Sequence, residues 1–297
     1  MKALLFSDKA VVTGQIASLL RNDFELYFLA YSKDYERLKD YGAKEIIVLN
    51  EEYSSADSIA YMIASYIKDY DYVFIGATVL GREVGAIASV ISGVEMKSEI
   101  TEFSIVGDKT RTKRLYYGGK TMLEEKSSAR ILTVSQGLRE AETRAASSEI
   151  INAKFNRKSV IEIDEKIQKS TTSVDITKAD IIVSIGRGLS KKEDMPIIAD
   201  LANAIHAELA GSRPVCADYH WLEEDRQVGL SGKKVTPKLY IAIGISGQIQ
   251  HIAGMRGSKT VIAINKDKNA PIFSECDYGI IGDLYSVVPK LTTALKK

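Results

Sequence analysis

The chain has 297 residues, with 40 Lys plus Arg against 39 Asp plus Glu, a formal net charge of +1. Hydrophobic residues make up 45% and charged residues 27%, which argues against disorder and fits one large core or two domains of about 150 residues. The near-neutral charge argues against a broad electrostatic footprint for nucleic acid or anionic membrane. Only two cysteines occur, Cys216 and Cys276, which excludes a disulfide framework. Three histidines, His206, His220 and His251, leave little from which to build a metal site. No run of 18 apolar residues marks a membrane span. The N-terminus starts like a strand rather than a leader, so the expected compartment is a reducing cytoplasm.

In chain order, residues 3–6 are a short apolar run, and 13–20 fit a helix with Ile16, Leu19 and Leu20 on one face. Residues 25–29 and 45–49 read as strands. The stretch 57–67 fits a helix, with Ile59, Met62, Ile63 and Tyr66 at helical spacing. A strand at 72–75 and a helix at 83–90 follow. Such alternation predicts a mainly parallel sheet with crossover helices. Across 110–124 the pattern changes to a hairpin turning at Gly118-Gly119. The run Lys109, Arg111, Lys113 and Arg114 reads as one solvated strand face. With Tyr116 and Tyr117 beside it, an RNA-binding strand is the sharper alternative. Residues 152–178 are polar and form the linker candidate, with an edge strand at 160–163. The expected domains are therefore 1–165 and 175–297.

The second block is again α/β. A strand at 180–185 ends in Gly186-Arg187-Gly188. A helix is expected over 194–209, with Ile197, Ile198, Leu201, Ile205 and Leu209 on one face and Pro196 in its first turn. His206 falls on that helix as a surface residue beside Asp200 and Glu208. A strand at 238–243 runs into Gly244-Ile245-Ser246-Gly247, and another at 260–265 ends at Asn265. A short strand at 278–281 precedes a closing helix at 283–295, with Asp283 at its N-terminus. No internal repeat is visible.

Three strands of this block thus end in Gly, Ser or Asn just before a helix. In a doubly wound domain, ligands bind beyond the carboxyl ends of the strands. Glycine lets the backbone approach closely, and helix N-termini offer N–H groups to phosphate. Each glycine loop alone reads equally as a tight turn, but together they favour a nucleotide site. Neither has the Rossmann glycine spacing, and no Walker A sequence occurs. The stretch 212–234, taken as a long loop between a helix and a strand, suggests function by its length. Cys216, Asp218 and His220 are too close on an extended segment to face one metal. His251, just after Gly247, is a helical residue whose place raises a functional reading.

These motifs resemble the alpha subunit of electron transfer flavoproteins, a family that includes the FixB-type proteins. The residues that carry the resemblance run in family order. They are Gly186-Arg187-Gly188-Leu189, Gly211-Ser212-Arg213-Pro214, the stretch 227–233 (Gln-Val-Gly-Leu-Ser-Gly-Lys), and the stretch 237–251 through Gly244-Ile245-Ser246-Gly247 to His251. Ala253-Gly254-Met255, residues 263–267, residues 270–273, residues 277–280 and Asp283-Leu284 continue it. In the first half, Gly76-Ala77-Thr78, Gly81-Arg82 and the Tyr117-Gly118-Gly119-Lys120 hairpin are a weaker match.

The resemblance implies two α/β domains, each a mainly parallel sheet with flanking helices. The C-terminal one is an FAD-binding, Rossmann-like (DHS-like) nucleotide fold, and the N-terminal one packs against a beta subunit in a heterodimer. It implies FAD as cofactor. Arg213 lies over the isoalloxazine ring, where its charge favours the reduced anion. His251 reaches the pyrimidine carbonyl, and Ser231 sits near N5. Ser246, Gly247 and Gln250 meet the ribityl and pyrophosphate, Asn265 and Asp283 the adenosine, and Arg187 and Gly188 the phosphate side. Ser212, Gln227, Val228, Gly244 and Leu284 complete the expected set. Leu230-Ser231 replaces a common Gln-Thr pair, which removes an amide donor near N5. His220 and Trp221 are bulkier than usual there; Trp221 reads as loop packing rather than a flavin shield.

The implied role is a one-electron carrier rather than a conventional enzyme. It takes electrons from flavin dehydrogenases of the acyl-CoA dehydrogenase type and passes them to a quinone oxidoreductase. The alternatives are a subunit of an NADH-oxidising, electron-bifurcating flavoprotein, and a nucleotide-binding module without redox use. A nicotinamide-dependent enzyme ranks last, since the Rossmann fingerprint is missing.

Overall fold

The computed structural model describes residues 1–49, 54–155, 159–161, 164 and 175–296. The chain forms two compact units, Met1–Ile167 and Gln168–Lys297.

The first unit runs β1 (Lys2–Phe6), α1 (Ala10–Leu20), β2 (Glu25–Tyr31), α2 (Tyr35–Leu38), β3 (Glu45–Leu49), α3 (Ala56–Tyr66), β4 (Tyr72–Gly76) and α4 (Val79–Ser92). It continues with β5 (Met96–Val106), β6 (Lys109–Tyr116), β7 (Thr121–Ser127), β8 (Ile131–Val134) and β9 (Glu149–Ala153). The strand order is β7-β6-β5-β8-β4-β1-β2-β3-β9. All pairs are parallel except β5–β6 and β6–β7. Alternate residues of β1 explain why its apolar run is unbroken. Ala3 and Leu5 pack with Val12 and Ile16 of α1, whereas Leu4 and Phe6 pack with Ile59 and Ile63 of α3 and Val84 of α4. Helix α4 is capped by Thr78, whose side chain accepts the Gly81 N–H at 2.9 Å, and it stops at Gly93 in the left-handed region.

Two expectations in this unit need correction. The four basic residues of β6 do not share a face: Arg114 alternates away from Lys109, Arg111 and Lys113. Each lies within 4.0 Å of a carboxylate (Asp108, Glu124, Glu102 and Glu125), so the run is a set of cross-strand and neighbouring ion pairs, not a basic stripe for RNA. The edge strand is β9, paired with β3. Val160 and Ile161 belong to no strand, and Glu162 and Ile163 lie outside the described residues.

The second unit runs β10 (Ile181–Ile185), α5 (Met195–Ala204), β11 (Glu208–Gly211), β12 (Leu239–Ile243), α6 (Ile249–Met255), β13 (Val261–Asn265), β14 (Tyr278–Ile281) and α7 (Leu284–Leu295). All pairs are parallel, in the order β11-β10-β12-β13-β14. Ile198, Leu201, Leu284 and Val288 cover one face from α5 and α7. Ile252 and Met255 of α6 cover the other. The sheet is therefore doubly wound, as the α/β reading requires.

The helix expected over 194–209 ends at Ala204. Ile205 leaves helical geometry, His206 takes φ +53°, and the Ala207 N–H closes the end on Ala202 O at 2.8 Å. Leu209 keeps a helical spacing from Ile205, but it faces the core from β11, paired with Val183. His206 is thus a turn residue. Among the described residues, no helix is long and apolar enough to cross a membrane.

Candidate functional site

In the second sheet the strand order reverses between β10 and β12, so the loops at their carboxyl ends leave to opposite faces, the place where such sheets bind ligands. Glycine lets these loops meet. The Gly186 N–H donates to Ile243 O at 2.9 Å, and the Gly188 N–H to Gly244 O at 3.0 Å. A Cβ on Gly186 would lie 2.4 Å from Gly244 O, and one on Gly188 2.5 Å from Gly244 Cα. Gly247 holds φ +87°, with room for no Cβ beside Ile272 N at 2.2 Å.

Neighbouring strands brace these loops. Asn265 Nδ2 donates to Ile245 O at 2.8 Å, and the Ile272 N–H to Ser246 O at 3.1 Å. The Gly282 N–H donates to Asn265 O at 3.0 Å, which brings Asp283 to the same end of the sheet. On the other side the Ser212 N–H donates to Ile185 O, and the Val228 N–H to Gly211 O, both at 2.9 Å. Gln227 Nε2 donates to Ser231 Oγ at 2.8 Å, and the Leu230 N–H to Gln250 O at 2.9 Å. The loop 227–233 is thereby strapped to α6.

The stretch 212–234 follows β11 rather than a helix, and it holds short helical turns at Pro214–Asp218 and Glu224–Arg226. Cys216 is buried, and burial pushes its thiol up to about 12, so it stays protonated. Among the described residues no group of three or more His, Cys, Asp or Glu side chains is placed to hold a metal. Trp221 packs against the core and stands 5.1 Å from the Tyr219 ring, a packing role.

The expected residues fall into distinct groups. Arg187 and Arg213 are exposed, and among the described residues neither guanidinium forms a hydrogen bond or ion pair. Ser231, Ser246, Gln250 and Asp283 are also exposed. Val228 and Leu284 have their side chains in the core, leaving only backbone groups to a ligand, and the Val228 N–H is already used. Asn265 spends its side-chain amide on Ile245 O and the Asp267 N–H. His251 is buried; its Nε2 lies 2.9 Å from Tyr240 Oη, and its Nδ1 has no hydrogen bond. Burial pushes the imidazole down to about 4, so it is neutral at neutral pH. Ser212 Oγ is likewise buried without a partner. Two orphaned polar atoms beside closely packed glycine loops suit a ligand at this end of the sheet. Tyr240 was not among the expected residues; only its alternating position in an apolar strand marked it as facing α6.

Comparison with known proteins fixes the family. Residues 175–256 match the electron transfer flavoprotein FAD-binding domain, and residues 30–157 match the electron transfer flavoprotein domain. The electron transfer flavoprotein subunit YdiR of Escherichia coli K12 is 34% identical over 284 residues, covering 92% of this chain and 91% of YdiR. The chain belongs to the electron transfer flavoprotein alpha family, of the FixB type. Protein FixB of Escherichia coli 55989 is 39% identical over 222 residues, 72% of this chain and 71% of FixB. FixB of Escherichia coli O1:K1 is 41% identical over 207 residues, 68% and 66% of the two chains. The cofactor of this alpha chain is FAD. The matched FAD-binding span holds the site from Arg187 to His251, whereas Asn265, Asp283 and Leu284 lie beyond it.

Proposed function

We propose that this chain holds FAD at the carboxyl end of its second sheet and acts, with a beta subunit, as a one-electron carrier. It would accept electrons from flavin dehydrogenases of the acyl-CoA dehydrogenase type and deliver them to a quinone oxidoreductase. The observation that supports this best is the meeting of the glycine loops beyond the carboxyl ends of β10 and β12, where Gly186 and Gly188 pack against Gly244 and present backbone instead of side chains. FAD, when bound, supplies the redox chemistry.

The chain's own residues bind and tune. Arg187 and Gly188 take the phosphate side, with Ser246, Gly247 and Gln250 around the ribityl and pyrophosphate. Asn265 contributes by shaping the Ile245 loop, since its amide is spent there; Asp283 completes the adenosine side. Arg213 brings a free positive charge to the ring, and Ser231 a hydroxyl already accepting from Gln227. His251 contributes a dipole rather than a charge, because burial keeps it neutral. The working domains are 1–165, which packs against the beta subunit, and 175–297. Exposed Leu115, Tyr117 and Met122 on the β6–β7 hairpin suit such a contact.

The deciding experiment is an anaerobic reductive titration of the purified complex, followed by absorption. A yellow protein that takes up one electron at a time supports the reading. A colourless preparation that refuses added FAD defeats it. NADH consumption by the same complex would instead favour the bifurcating role.

A further inference from the structure

We propose that Tyr240 is a positioning residue of this site: its hydroxyl donates to His251 Nε2 and fixes the imidazole as the neutral tautomer with its proton on Nδ1. Its meaning for function rests on the flavin reading above; its geometry does not.

Tyr240 lies in the middle of the second sheet, fully buried, on the β12 face that packs against α6. Its oxygen is 2.9 Å from His251 Nε2. The position of the shared proton follows from the chemistry of the pair. Ile182 pairs with Tyr240, and Ser184 stands two residues further along β10 on the same face. Ser184 is buried, and its hydroxyl has no hydrogen-bond partner, so the shared proton is set by the phenol–imidazole pair itself. In a contact between a phenol and a neutral imidazole, the phenol is the stronger donor and the ring nitrogen the stronger acceptor, so the phenol proton points to Nε2. Burial keeps the phenol protonated and able to donate. On the other side, the Val228 carbonyl lies beside the imidazole, outside good hydrogen-bonding geometry, and favours a ring N–H. With Nε2 accepting, that N–H is Nδ1.

The consequence is a histidine with one fixed donor and no charge. It cannot present Nε2–H to a ligand while Tyr240 holds that atom. Arg213 is then the chain's cationic group at the ring, and His251 only orients. Removing the hydroxyl leaves Nε2 buried and unpartnered, which favours the other tautomer or a turned ring.

The test labels histidine with 15N in this chain alone, within the purified complex freed of FAD. Three histidines give an assignable spectrum, and His251→Gln identifies the His251 signals. The expected wild-type pattern is a protonated Nδ1 and an unprotonated Nε2. In Tyr240→Phe, which keeps the ring, the proton should move to Nε2 or average over both nitrogens. Restored FAD should bind Tyr240→Phe about tenfold more weakly than wild type. A wild-type Nε2–H, an unchanged tautomer in Tyr240→Phe, or equal FAD affinity would overturn the proposal. If Tyr240→Phe does not fold, the wild-type spectrum alone decides. If neither protein binds FAD, the flavin reading fails, and the spectra still decide whether Tyr240 holds the imidazole.

Discussion

Gly188 and Gly244 meet backbone to backbone, and the loss of that contact is the most direct residue-scale test. A Cβ at Gly188 would stand 2.5 Å from Gly244 Cα, where only backbone movement relieves the clash. Gly188→Ala should therefore destabilise the second unit by about 1–3 kcal/mol and weaken FAD binding by at least about tenfold, by denaturant titration and flavin fluorescence. His251 makes a second prediction. The imidazole ionises near its ordinary value of 6.5 when unfolded and at about 4 when folded. Between those values only the unfolded chain takes up the proton, so stability falls as pH drops from 6.5 toward 4. The slope is at most about 1.4 kcal/mol per pH unit, and His251→Gln should remove it from urea midpoints measured at pH 5 and 7. The glycines were legible in the sequence because each follows an apolar run at a strand end. The Tyr240 contact was not, because it joins a strand to a helix eleven residues on through the body of the domain.

At the scale of elements, strands were easier to read than helix ends. A strand buried on both faces must be apolar throughout, and Ile46, Ile47, Val48 and Leu49 carry that signature unaided. Periodicity overran α5 because Ile205 and Leu209 keep a helical spacing across a turn that His206 makes in the left-handed region. The N-terminus of α3 carries a testable feature of its own. Asp57 is 5% exposed, and its carboxylate accepts from the Ser159 hydroxyl at 2.7 Å and the Val160 N–H at 3.0 Å. Burial alone would raise its pKa. The hydrogen bonds from Ser55, Ser159, Val160 and Ser58 outweigh burial and hold it at about 2. A carboxyl lowered in this way stabilises the fold above its unfolded value of 3.8, and the gain is lost as pH falls toward 2. A shift from 3.8 to about 2 caps the contribution at about 2 kcal/mol. Asp57→Asn should lower the urea midpoint at pH 7 and leave it unchanged at pH 2. An equal loss at both values would mean that packing, not charge, is responsible.

Across the whole molecule, the two sheets treat their reversal points differently. In the first, β1 lies between β4 and β2, and the chain's own groups occupy the loops. The Thr78 hydroxyl donates to Asp8 at 2.5 Å, Gln136 Nε2 to Ala77 O at 3.1 Å, and the Gly137 N–H to Gln15 Oε1 at 3.1 Å. In the second, glycines stand at that point and the exposed, unpartnered Arg187 and Arg213 follow the ends of β10 and β11, so one flavin per chain is the count expected of the proposed site. Composition sharpens what those arginines do. With a net charge of +1, the chain has no global field to favour an anionic ligand. His251 is neutral, so at the proposed site the electrostatic bias at the ring falls to another local group, and Arg213 is the one proposed for it. Losing one charge-assisted hydrogen bond costs about 1.5–3 kcal/mol, which for one electron is about 60–130 mV. Arg213→Ala should lower the first reduction potential by that amount in an anaerobic potentiometric titration, while FAD remains bound through the phosphate side. Because the effect is local, raising the salt from 0.05 to about 0.5 M should change the wild-type potential far less than the substitution does. An Arg213→Ala protein with an unchanged potential would show that the bias arises elsewhere, in the beta subunit or in backbone dipoles around the ring.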